Sequence, residues 1–151
     1  MAKYDDASWH YGGNYPADLP PANAATHIGM FLTWCIEHDL LSEEQTDDCE
    51  EDIEKVKNRT LTGAQYLIAN CDEKFTTDDL DQTGNDFAKS YYARKEKTAA
   101  AKYPSYFEDY ENAFRQHSTD FNLYAVADTW ENYDRIKPLI DQRFEEWKGF
   151  Q

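Results

Sequence analysis

The chain has 151 residues, with 30 Asp and Glu against 15 Lys and Arg for a formal net charge of -15, and it carries 8 Phe, 11 Tyr and 4 Trp. This balance argues against a nucleic-acid binder, whose affinity comes from cations that neutralise phosphates, and against an anionic membrane surface; the macromolecular partner it implies is a basic protein. The length is that of one domain over 1–151, and although a mean hydropathy of -0.90 with high net charge can mark disorder, the rings supply buried area that disordered chains lack.

No apolar run approaches the roughly 20 residues of a membrane span, since the longest, Ile28 to Ile36, is interrupted by Gly29 and Thr33. The opening Met-Ala-Lys-Tyr-Asp-Asp lacks the apolar core of a signal peptide, so a cytoplasmic protein is expected. Cys35, Cys49 and Cys71 form no Cys-x-x-Cys, which fits reduced thiols there.

Residues 1–25 mix Gly12, Gly13, Pro16, Pro20 and Pro21 with Trp9, His10, Tyr11 and Tyr15, a composition that predicts an irregular aromatic arm packed on a helical body. A helix is predicted over 23–38, where Ile28, Phe31, Leu32, Cys35 and Ile36 recur at core-facing spacing. Ser42 with Gln45 reads as a capping box for a surface helix running to about Asn58, and Thr62 with Gln65 repeats the pattern for a short helix ending near Asn70. Thr77 is expected to cap a single turn, and Thr83-Gly84-Asn85-Asp86 to open a helix that Ala99, Ala100 and Ala101 extend past the basic residues Arg94, Lys95, Lys97 and Lys102. Pro104 stops it, and Ser105 with Glu108 caps the next helix. Alternation over Phe121 to Ala127 predicts a short strand. Asp128 and Glu131 open a last helix that Pro138 should kink or split. The fold class is therefore mainly α, a single domain of five or six helices with a minor β element.

The chemistry-bearing residues give no reaction. His27 and His38 share a helix face but stand eleven residues apart, about 16 Å along the axis, too far to hold one ion; His10 and His117 lie on other segments. No Gly-x-Ser-x-Gly elbow is present, Gly12-Gly13 reads as a tight turn, and carboxylates are too abundant for any pair to stand out. No catalytic residue, metal or cofactor is predicted. The one concentrated feature is charge: eight of the twelve residues over 43–54 are acidic, with like charges at i, i+4 that destabilise an isolated helix. Asp47, Asp48, Glu50, Glu51 and Glu54 are the candidate partner-binding residues.

The opening Tyr4-Asp5-Asp6-Ala7-Ser8-Trp9-His10-Tyr11-Gly12-Gly13 and the run Ala25-Thr26-His27-Ile28-Gly29-Met30-Phe31-Leu32-Thr33-Trp34 resemble a family of small uncharacterised bacterial proteins, with Thr62-Gly63, Cys71-Asp72 and Tyr91-Tyr92 in agreement. Asn14 stands where that resemblance leads one to expect an acidic residue. The resemblance implies a setting beside secreted toxins, hence an immunity protein that neutralises a basic toxin, and a structural role for Trp9, His10, Gly12, Gly13, Thr26, His27 and Trp34. The alternatives from other classes are a small enzyme using the His10/His27 region and a homo-oligomeric structural module.

Overall fold

In the computed structural model, which describes residues 2–12, 15–93, 103–115 and 121–149, the chain opens with regular structure where an irregular arm was expected. Strand β1 (Lys3–Asp6) pairs antiparallel with β2 (Lys74–Thr76) in a two-stranded sheet. The register shifts between Lys3 and Asp5, and Tyr4, Asp5 and Asp6 are all buried. An unbroken strand would alternate its faces; the irregularity lets consecutive residues turn inward. The Asp6 carboxylate then accepts the Ser8 amide at 2.9 Å and caps α1 (Ala7–Tyr11), which ends at Gly12. The β element thus lies at the N-terminus and not at Phe121 to Ala127.

Pro21–Ala25 forms a 3-10 turn, and α2 (Thr26–Glu37) begins only at Thr26. Every residue of α2 except Glu37 is buried, so it is the central helix, as its apolar spacing requires. The expected acidic helix is two helices, α3 (Glu43–Asp48) and α4 (Glu50–Lys57), separated at Cys49. The physical reason is Gln45. Its side chain accepts the Tyr66 hydroxyl at 2.6 Å and donates to Asp79 at 2.8 Å, so it does not close the capping box on Ser42, and α3 is oriented by that contact while α4 turns Ile53 and Val56 to the core.

Helix α5 (Gly63–Asn70) has the full Thr62–Gln65 capping box. Thr76, one residue before the expected cap, caps the 3-10 turn Thr77–Asp79, and Asp81 caps α6 (Gln82–Tyr91). The proposed extension through Ala99 to Ala101, the basic residues Arg94, Lys95, Lys97 and Lys102, and His117 lie outside the described residues. Ser105 and Glu108 form the expected box at α7 (Tyr106–Phe114). Instead of a strand, Leu123–Ala125 is a 3-10 turn whose Asn122 side chain accepts the Tyr124 amide; this Asx turn satisfies the backbone locally. Helix α8 (Trp130–Gly149) runs unbroken through Pro138. Pro138 is exposed, so the carbonyl its ring leaves without a donor can face water while Ile136 and Ile140 stay packed.

Phe31 sits at the centre of the core, its ring centroid 5.0 to 6.1 Å from those of Phe75, Phe87, Tyr91, Tyr92 and Tyr106. Tyr92 and Tyr106 are buried and build the interior. Helices α2 and α5 meet at two glycines: a Cβ on Gly29 would stand 2.2 Å from the Ala64 nitrogen, and one on Gly63 would stand 2.0 Å from the Gly29 carbonyl oxygen. No described helix is long and apolar enough to cross a membrane.

Candidate functional site

The inward turn of β1 places the Asp5 carboxylate, 3 % exposed, where three other elements converge. Its Oδ1 accepts the Asp6 amide at 2.8 Å and faces His10 Nε2 at 2.6 Å. Its Oδ2 accepts the Tyr92 hydroxyl at 2.7 Å and faces His27 Nε2 at 3.1 Å. Helix α1, capped by Asp6, carries His10 back over Asp5, and α2 presents His27 from its first turn. Tyr124, on the 3-10 turn, closes the far side with its hydroxyl 2.7 Å from His10 Nδ1, and its carbonyl accepts Asn23 Nδ2 at 2.9 Å. Tyr106 donates to the His27 carbonyl at 2.6 Å.

The electrostatics follow from burial and these partners. Burial alone would raise the Asp5 pKa; the hydrogen bonds from His10 and His27 outweigh it and hold the carboxyl well below its usual range, so it is ionised. Burial pushes the His27 imidazole down against the pull of Asp5. A neutral His27 donates from Nε2 to Asp5, which leaves Nδ1 bare. Tyr92 is pushed far up, first by burial and then by Asp5, and stays a donor. All four lone-pair directions of the carboxylate thus face a donor group.

The predicted histidines His10 and His27 are therefore brought together, their rings edge to face with centroids 4.7 Å apart, by residues that the sequence reading did not single out: Asp5, Tyr92 and Tyr124. Asp5 lay inside the quoted opening motif, but among 30 acidic residues nothing marked it as one of the few that are buried. The other motif residues are dispersed. Trp9 is 53 % exposed, with the Lys3 ammonium 5.7 Å from its ring. Gly12 closes α1, where a Cβ would meet the Ser8 carbonyl oxygen at 2.7 Å; Gly13 lies outside the described residues. Thr26 is buried at the start of α2, and buried Trp34 donates to Asp141 at 2.8 Å. His38 bonds the Trp34 carbonyl and stacks on its ring, far from the Asp5 cluster in its contacts.

The candidate partner-binding residues form a separate face. Asp47 and Asp48 on α3 and Glu50, Glu51 and Glu54 on α4 are all exposed. Glu51 stands 3.8 Å from Lys55, a solvent-facing pair of little energetic weight.

Residues 3–126 match the family described as a domain of unknown function, DUF7832, and the chain belongs to that family. The match takes in Asp5, His10, His27, Tyr92, Tyr124 and the acidic helices, and ends before α8. No curated protein and no solved structure matches the chain.

Proposed function

We propose that this chain is a non-enzymatic binding protein whose α3–α4 face captures a basic protein, and most concretely an immunity protein that neutralises a basic toxin, a nuclease among the candidates, in the cytoplasm. The observation that carries this reading is the exposure of all five of Asp47, Asp48, Glu50, Glu51 and Glu54 on helices whose only buried side chains are Ile53 and Val56. Five carboxylates held next to one another repel, and the fold uses none of them for packing; steering a cationic partner is a use that repays the repulsion.

The test is stopped-flow association with the product of the adjacent gene, comparing wild type with a variant carrying Asn or Gln at all five positions, across a salt series. Rim charges act on the on-rate, and the Debye length falls from about 10 Å at 0.1 M to about 3 Å at 1 M. Wild-type association should therefore slow steeply with salt, and the variant should start slower and respond less. Equal rates with equal salt slopes would overturn the reading.

A further inference from the structure

We infer that Asp5, His10 and His27 form a binding site for one divalent transition-metal ion of the zinc class. Their donor atoms all lie within 4.8 Å of one another, and they come from three different elements, β1, α1 and α2, so the fold and not local sequence brings them together. Two imidazoles and one carboxylate are the donor set of borderline ions, whereas magnesium and calcium seek oxygen. With metal–ligand bonds of about 2.0–2.2 Å, neighbouring donors in a tetrahedral site stand roughly 3.3–3.6 Å apart. Asp5 Oδ1 stands 2.6 Å from His10 Nε2 and its Oδ2 stands 3.1 Å from His27 Nε2, so each imidazole already faces a carboxylate oxygen at slightly short spacing, and an outward motion of the ligands admits the ion. The His10 side chain, 18 % exposed, gives it a way in.

A buried carboxylate is compensated by pairing or by a metal, and Asp5 turns one oxygen to each of the two imidazoles. The outer hydrogen bonds are those that orient metal ligands: Tyr124 on His10 Nδ1, and Tyr92 with the Asp6 amide on Asp5. Among the described residues, the buried side-chain polar atoms without a hydrogen-bond partner are His27 Nδ1 and Tyr110 Oη, on rings whose centroids are 6.2 Å apart. Ligation through Nε2 moves the His27 proton to Nδ1, and an approach of these two rings would then let Tyr110 Oη accept it.

The site is independent of the acidic-face reading, and its test is built to keep the two apart. Purified protein is titrated with cobalt(II) chloride and, separately, zinc(II) chloride, with binding read by calorimetry and by the visible bands of four- or five-coordinate cobalt. One equivalent should bind, zinc should displace cobalt, and no thiolate charge-transfer band should appear. His10→Ala should weaken binding at least about tenfold, and Tyr124→Phe by about 10-fold or more, whereas Cys71→Ser and the fivefold-neutralised α3–α4 variant should bind as wild type does. Because Asp5 and His27 also hold the core together, a second measurement uses the wild type alone: the imidazole nitrogen resonances of His10 and His27 should shift on addition of one equivalent of zinc. Binding that survives His10→Ala unchanged, that is lost in the Cys71 or α3–α4 variants, or that leaves both imidazoles unmoved would overturn the site, as would no binding at all.

Discussion

Asp5 draws a donor from its own strand end, from α1, from α2 and from the residue after α6, so removing any one of them leaves a charged group short. Tyr92→Phe is the mildest such change, because it deletes only the hydroxyl that stands 2.7 Å from Oδ2 and keeps the ring packed against Phe31. Hydrogen bonds to charged groups contribute about 1.5–3 kcal/mol, and urea unfolding of this variant should show a loss in that range; a loss within error would mean water replaces the hydroxyl. A second residue-scale expectation concerns Cys71, whose thiol burial pushes up to about 12. The thiolate is the reactive form, and with that pKa only roughly one thiol in ten thousand is ionised at pH 8. Reaction of native Cys71 with a disulfide reagent should be more than tenfold slower than in urea, with mass spectrometry assigning the labelled site. At this scale sequence and structure part company for a clear reason: His10 and His27 were conspicuous as rare residues, whereas Asp5 differs from the other carboxylates only in where a slipped register points it.

At the scale of elements, the caps were the most legible feature. Thr62 and Ser105 close the boxes that their Gln65 and Glu108 partners announce, because both partners lie within one turn. Ser42 accepts the Gln45 amide, but the Gln45 side chain leaves for Tyr66 and Asp79, and a contact across 21 and 34 residues is invisible to a local pattern. Alternation at Phe121 to Ala127 is a necessary property of a strand but not a sufficient one, because the Asn122 side chain accepts the Tyr124 amide and turns Leu123–Ala125 into a 3-10 turn. The α2–α5 crossing yields a sharp expectation. Gly63→Ala puts a methyl 2.0 Å from the Gly29 carbonyl oxygen, and backbone cannot rotate out of the way as a side chain can. Thermal and urea unfolding should report a loss of about 3 kcal/mol, at the upper end for overpacking, while Gly149→Ala, with nothing within 4 Å of its Cβ, should leave stability unchanged or slightly higher. Equal effects at the two positions would mean that α2 and α5 are not in close contact.

For the molecule as a whole, the helical class and the central helix were readable because both follow from composition and spacing: aromatic area had to be buried, and the segment around Phe31 was the one with apolar residues on nearly every face. What the sequence could not show is how the ends of the chain are used. The described N-terminal strand lies on β2, and α8 closes over α2 and α7 through Trp34 with Asp141 and through Arg143, whose Nε stands 2.9 Å from Asp109 Oδ2. Asp109 is buried and also receives the Tyr91 hydroxyl at 2.7 Å. These two buried carboxylates, Asp5 and Asp109, tie opposite ends of the chain to the same aromatic core.

The Asp5 cluster also dictates an order of events. Its bonds span 22 residues to His27, 87 to Tyr92 and, through His10, 114 to Tyr124, and closing loops of that length is repaid only after the intervening helices have collapsed. The cluster should therefore lock late, beyond the folding barrier. Contacts absent from the transition state slow escape from the native state without hastening arrival. Tyr92→Phe should accordingly leave the refolding limb of a chevron plot near that of the wild type and raise the unfolding limb, so that these few hydrogen bonds set how long the native chain persists.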